Sequence, residues 1–155
     1  RRYIDKGIYL PGNKKSDELL DVYVALDSSS SVSLEEYKKF LGIIQELCEG
    51  FYEYKITILP FDISVKKQYI NSFDSFYPLN TNELLIPKSD GGTDFNVVLE
   101  YLQNSDISGN ALLIVLSDGE FDIDSSLISK TLFIISDKKN LTRFESYGRV
   151  IQFIL

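Results

Sequence analysis

Three short stretches of this 155-residue chain carry the side chains on which chemistry could rest: Asp27-Ser28-Ser29-Ser30-Ser31, Gly91-Gly92-Thr93-Asp94 and Ser117-Asp118-Gly119-Glu120. Converging hydroxyls and carboxylates form a hard oxygen set, which suits Mg²⁺ or Mn²⁺ in octahedral geometry better than zinc or copper. Alternate residues of an extended loop point the same way, so Asp27, Ser29 and Ser31 can share one centre while Ser28 and Ser30 point away. Glycines ahead of Thr93 let the backbone approach closely. The chain has no histidine, which removes imidazole acid/base catalysis, Ser-His and Cys-His nucleophile pairs, and His-liganded zinc together. Cys48 is the only cysteine, so no internal disulfide can form, and a buried thiol is expected.

For these loops to meet, they must lie at one end of a common sheet. The nearly continuous apolar run from Leu19 to Leu26 suits a strand covered on both faces. Ser33 followed by Glu36 is a capping box, and Leu34, Tyr37, Leu41, Ile44 and Cys48 follow helical spacing, predicting a helix from Leu34 to Glu49 with Gly50 as its left-handed stop. Tyr54 to Phe61 reads as a strand and Val65 to Ile70 as its hairpin partner. Asn71 to Asp90, with Pro78 and Pro87, reads as an irregular excursion with at most one short helix. Asp94 is placed to cap a helix with apolar positions Phe95, Val98, Leu99 and Leu102, and Ala111 to Leu116, Thr131 to Ile135 and Val150 to Leu155 read as further strands. Such alternation predicts an α/β fold: a mostly parallel sheet with helices on both faces. In an open sheet of this kind functional groups gather at the carboxyl ends of the strands, where all three loops fall.

The length fits one domain able to bury roughly two-thirds of its unfolded surface without a structural metal. A net charge of −7 and a pI near 4.6 argue against nucleic acid or an anionic membrane as the main partner. No apolar run approaches the ~20 residues of a membrane span, Arg1 to Asn13 lack a signal-peptide core, and a cytoplasmic location is expected. The chain holds no methionine, and Arg1-Arg2-Tyr3 reads as an internal cut. Residues 1–17 are therefore expected to be a lead-in from a missing N-terminal portion, and residues 18–155 the domain itself.

Asp27, Ser29 and Ser31, then a distant Thr93, then Asp118 at the end of a central strand, resemble the metal-ion-dependent adhesion site of von Willebrand factor type A (VWA) domains. The resemblance covers about residues 18 to 155 and implies a three-layer, Rossmann-like fold whose sheet has one antiparallel edge strand. It implies that Ser29, Ser31 and Thr93 lie nearest the ion through their hydroxyls, with Asp27 and Asp118 acting directly or through water. Few charges then reach the metal, which stays electrophilic enough to accept a carboxylate from a partner protein. Ser30 departs from the glycine that family often carries there, implying a tighter or shifted loop. Gly-Gly-Thr-Asp-Phe, the Ile58-Leu59-Pro60-Phe61-Asp62 strand end and Leu10-Pro11 resemble a narrower bacterial group. There a VWA-like domain forms the C-terminal part of metallopeptidase-like proteins associated with MoxR-type AAA+ ATPases.

The expected function is thus a non-enzymatic, Mg²⁺-dependent interaction module whose partner is a protein offering an acidic residue, such as a MoxR-type ATPase or its client. One alternative is a metal-dependent phosphohydrolase with Asp27 as nucleophile, but a haloacid-dehalogenase pattern needs a second acidic residue where Ser29 stands. A receiver domain needs an acidic pair before its phosphorylated Asp and a later Lys at a strand end, and neither is found. Another alternative is a metal-free scaffold, since Ser, Asp and Gly also form turns. Asp94 reads first as a helix cap and secondarily as a support for a metal ligand. Asp62 reads first as a turn start and secondarily as a group lining the metal end of the sheet; Glu120, Asp122 and Asp124 read first as solvated loop charge and secondarily as negative potential steering a basic partner or cation. The lysine pairs read as scattered surface charge, and Phe73 to Tyr77 first as a packed loop and secondarily as an exposed partner patch.

Overall fold

In the computed structural model, which describes residues 2–3, 9–10, 16–78, 91–105, 107, 111–124 and 130–153, short strands β1 (Arg2–Tyr3) and β2 (Tyr9–Leu10) pair with each other. The long apolar run becomes β3 (Ser16–Asp27), followed by α1 (Leu34–Cys48), β4 (Phe51–Phe61), β5 (Asn71–Asp74), α2 (Asn96–Gln103), β6 (Leu112–Ser117), β7 (Lys130–Ile135) and β8 (Arg149–Gln152). Six strands form one sheet in the order β5-β4-β3-β6-β7-β8, parallel throughout except for the antiparallel edge strand β5. No helix among the described residues is long and apolar enough to cross a membrane.

Both faces of the sheet are covered, which explains why its central strands read as unbroken apolar runs rather than alternating ones. Val22, Val24 and Leu26 of β3, with Ile56, Ile58, Ile114 and Leu116, pack against Tyr37, Phe40, Leu41, Ile44 and Leu47 of α1. The opposite faces of the same strands, Ala25, Leu59, Leu113, Val115 and Phe133, pack against Phe95, Val98, Leu99 and Leu102, and against Phe144 from the 3₁₀ segment Lys138–Phe144. The rings of Phe133 and Phe144 stack with centroids 5.0 Å apart. Each such fully buried side chain contributes about 1.5–3 kcal/mol of transfer free energy. Two dry layers thus hold the strand ends at one height, and the loops that leave those ends inherit fixed positions.

The start of α1 follows from its capping box. Ser33 Oγ accepts from the Glu36 N–H at 3.1 Å, and Glu36 Oε1 accepts from the Ser33 N–H at 3.4 Å. Ser33→Ala should cost about 1 kcal/mol and lower Tm by about 2–4 °C. Thermal unfolding of the two proteins side by side checks this, and an unchanged Tm would show that the cap does not support the helix. Cys48 lies in the core, where burial pushes its thiol pKa up to about 12 and leaves it chemically inert.

Three expectations about these elements need correction. Gly50 is not a left-handed stop: positive φ among the described residues is confined to Gly91, Gly92 and Gly119. The helix instead ends with Glu49 in right-handed geometry, the Gly50 N–H bonds the Leu47 carbonyl at 3.2 Å, and the chain enters β4 at once. The hairpin partner of β4 is Asn71–Asp74, and Val65 to Ile70 is a bridge residue followed by a 3₁₀ turn, Lys67–Tyr69. Asn71–Asp74 was expected to open an irregular excursion, whose remainder, 79–90, lies outside the described residues. Finally, the segment after β5 is not packed down: Phe76 and Tyr77 are 86% and 77% exposed, because Asp74 Oδ1 accepts both of their N–H groups and curls the chain outward.

Candidate metal centre

Register alone brings two of the three loops together. Leu26 pairs with Leu116 and Asp27 with Phe61, so β3 and β6 end side by side with Asp27 next to Ser117. Asp27 is fully buried. Its Oδ1 accepts the Ser29 N–H at 2.9 Å, and its Oδ2 accepts the hydroxyl of Ser117. Ser28 turns toward β4, where its N–H and its Oγ both donate to the Phe61 carbonyl, at 2.8 and 2.9 Å. Ser29 and Ser31 hold their hydroxyl oxygens 2.9 Å apart. The alternation expected of Asp27, Ser29 and Ser31 is present, with Ser28 directed elsewhere. Ser30 is exposed and has an ordinary negative φ, so a side chain is accommodated where a glycine is often found.

At the end of β6, Ser117 Oγ accepts the Gly119 N–H at 3.0 Å while its single proton serves Asp27. Asp118 is 7% exposed, and its Oδ1 accepts the Glu120 N–H at 3.1 Å. The turn between them needs Gly119 at φ +88°, in the left-handed region. A shallow depression of about 300 Å³ opens beside Asp118 and Ser31, with Glu36, Ser136, Asp137 and Lys138 on its other walls.

The third loop arrives through β4. Gly91 and Gly92 both take positive φ, and a Cβ on Gly92 would stand 3.0 Å from Ile63 Cγ2. The Asp94 N–H then donates to the Asp62 carbonyl at 2.8 Å, carrying Thr93 to the carboxyl end of the sheet. Among the described residues the Thr93 hydroxyl has no hydrogen-bond partner. Asp94 Oδ1 accepts from the Asn96 N–H at 3.0 Å and from Asn96 Nδ2 at 3.2 Å, and so fastens the entry to α2. Asp62 does start a turn, accepting the Ser64 N–H at 3.1 Å, and it is also a buried ion-pair partner, with Lys66 Nζ at 3.1 Å.

A buried, raised carboxyl marks this end of the sheet. Burial pushes the Asp27 carboxyl above its ordinary value of 3.8, the nearby charge of Asp118 pushes it further, and the hydrogen bonds from Ser117 and Ser29 oppose the rise. Among the described residues both oxygens of this buried acid are partnered by neutral donors. No group of three or more His, Cys, Asp or Glu suited to a metal occurs among the described residues. An ion here would therefore depend on Asp27 and Asp118 supplemented by the Ser29, Ser31 and Thr93 hydroxyls, a donor set that fits a hard divalent cation.

Two residues of this region escaped sequence reasoning. Ser117 carries no signal in the sequence beyond its membership of the Ser117-Asp118-Gly119-Glu120 loop, although its place opposite Asp27 follows from strand register. Asn140 is 96 residues further along than Ile44 of the covering helix and 22 beyond Asp118, with no motif to mark it, yet its Nδ2 donates to the Asp118 carbonyl at 3.0 Å. The acidic loop after Asp118 is solvated, with Glu120, Asp122 and Asp124 all exposed, and each of these side chains also has a partner. Glu120 pairs with Lys139 at 2.9 Å, Asp122 pairs with Arg143 at 2.6 Å, and Asp124 Oδ2 accepts from Asn96 Nδ2 at 3.2 Å.

A family model described as a VWA-like domain (DUF2201) matches residues 22–154. No curated protein matches the sequence. Solved structures that match include the crystal structure of an aerotolerance-related membrane protein from Bacteroides fragilis with multiple mutations to serines. The match has a TM-score of 0.51 and 16% identity, over 75% of this chain and 67% of that one. At that identity the likeness concerns the fold alone.

Proposed function

The chain belongs to the VWA-like family, whose domains generally mediate protein–protein interaction, and from that premise we propose a Mg²⁺-dependent interaction module completed by a carboxylate of the partner protein. One observation carries the reading. Two carboxylates of nearly complete burial, Asp27 and Asp118, sit at the ends of adjacent strands beside the paired hydroxyls of Ser29 and Ser31. The buried charge of Asp27 opposes folding unless a cation neutralises it or the carboxyl takes a proton.

In this reading Ser29, Ser31 and Thr93 hold the ion through hydroxyls, and Asp27 and Asp118 neutralise it. The ion would supply Lewis acidity toward a partner's carboxylate. The chain's own groups do the rest. Ser117 and the Ser29 N–H fix both oxygens of Asp27, the Glu120 N–H fixes one oxygen of Asp118, and exposed Ser31 marks the side from which a partner approaches. The Gly-Gly-Thr-Asp-Phe sequence and its neighbours support a partner among MoxR-type AAA+ ATPases or their clients.

Ligand-linked stability tests the reading. At a Mg²⁺ concentration about 100 times Kd, binding should stabilise the domain by about 2.7 kcal/mol, raising Tm by about 5–10 °C, and EDTA should reverse the gain. A Tm indifferent to Mg²⁺ and Mn²⁺ would contradict it.

A further inference from the structure

The stretch that carries Asp118 is gripped from outside the motif, by one short segment. Asn140 Nδ2 donates to the Asp118 carbonyl at 3.0 Å, Arg143 Nη1 donates to the Gly119 carbonyl at 3.3 Å, and Lys139 Nζ pairs with Glu120 Oε1 at 2.9 Å. Three consecutive residues of the loop are thus held by three residues of Lys138–Phe144. Asn140 is buried, and its own Oδ1 accepts from Arg143 Nη1 at 3.4 Å, which sets the direction in which its amide donates. Arg143 Nη2 reaches Asp122 at 2.6 Å and closes the loop's far end.

The geometry points to Asn140 as a positioning residue for the metal site, with Arg143 orienting it; this rests on the function proposed above. The peptide plane between Asp118 and Gly119 is the joint through which the Asp118 carboxylate is aimed. Its carbonyl is fixed by Asn140, while its N–H is fixed by Ser117 Oγ, which also holds Asp27. Rotation of that plane withdraws the Gly119 N–H from Ser117 Oγ and displaces the following Glu120 N–H that holds Asp118 Oδ1, so the Asp118 carboxylate loses its fixed aim. Groups that orient metal ligands by hydrogen bonds typically change metal affinity 10- to 100-fold when removed. Asn140 touches no metal in this account and acts only through Asp118.

Calorimetric titration of Mn²⁺ into the metal-stripped chain tests the assignment with Asn140→Leu, which keeps the branched heavy-atom shape and deletes the amide, and Arg143→Gln, at a partly exposed position better able to tolerate change. The expected result is a Kd raised 10- to 100-fold in Asn140→Leu and raised in the same direction, by less, in Arg143→Gln. Hydrogen exchange adds a readout that a merely structural role would not move. Mn²⁺ should slow exchange at Gly119 and Glu120 in the wild type and fail to do so in the variants at the same occupancy. Wild-type Kd in the folded variants, with lowered Tm alone, would overturn the positioning role while leaving the metal site intact. Absence of binding to the wild-type chain would overturn both. Should Asn140→Leu fail to fold, Arg143→Gln decides by the same two readouts.

Discussion

Asp27→Asn is expected to make the metal-free domain more stable by about 1 kcal/mol, within the range of gains typical when a functional constraint is relaxed, and to abolish any stabilisation by Mg²⁺. The side chain keeps its shape and its main contacts. Asn Oδ1 can still accept the Ser29 N–H, and the Ser117 hydroxyl can rotate to accept from the new amide. What disappears is a buried charge facing Asp118. The pH dependence should show the same thing. Because the folded carboxyl lies above 3.8, the folded state holds the Asp27 proton more tightly than the unfolded chain does. The contribution of Asp27 to metal-free stability is therefore greatest below about 3.8 and is lost as pH rises through the raised folded value. Saturating Mg²⁺ should reverse that loss in the wild type. Urea melts of both proteins between pH 4 and 8, with Mg²⁺ or EDTA, measure all of this, and a variant less stable than the wild type in EDTA would refute the argument.

Gly119→Ala should be the most damaging single-methyl change near the site, at about 2–4 kcal/mol. About 1–2 kcal/mol comes from placing an L side chain at φ +88°. The remainder comes from overpacking, since the new Cβ would stand 2.8 Å from Asn140 Cβ, 3.1 Å from Ile135 Cγ2 and 3.2 Å from Phe144 Cε2. Relief requires the 3₁₀ segment to withdraw, which also removes Asn140 from the Asp118 carbonyl. The variant should thus lose Tm on the order of 10 °C and bind Mn²⁺ more weakly if it folds. Gly42→Ala provides the control: nothing lies within 4 Å of its added Cβ on the exposed face of α1, and it should gain about 0.5–1 kcal/mol. Equal losses in the two variants would mean that packing around Gly119 is not what holds the loop.

The central layer was legible because its signals are local and redundant. β3 announces itself by an apolar run too long for a turn, α1 by Ser33, Glu36 and an apolar stripe, and the site by loops that follow strand ends. What was illegible depends on partners distant in sequence. Val65 and Ile70 looked like strand residues because they are apolar, but they pack on the α2 face of the core from a turn. That turn is set by Asp62, whose carboxylate binds both the Ser64 N–H and Lys66 and delays the returning strand to Asn71. Gly50 looked like a left-handed cap because glycine permits one, yet permission is not requirement, and a 3₁₀-type bond to Leu47 closes the helix instead. Asp122 is solvated as its loop position suggests, but its ion pair was illegible because Arg143, 21 residues away, is brought to it by the packing of Phe144 against Phe121 and Phe133. Phe76 and Tyr77 were expected to be packed on the strength of composition, whereas the hydrogen bonds to Asp74 decide their direction.

The proposed function requires that Asp27 and its neighbours hold a divalent ion. Its most direct test is calorimetric titration of Mn²⁺, and then Mg²⁺, into the metal-stripped chain beside Asp27→Ala. Saturable binding at one site per chain is expected in the wild type and none in Asp27→Ala, with the variant still folded. Equal binding by both proteins, or none by the wild type, would contradict it.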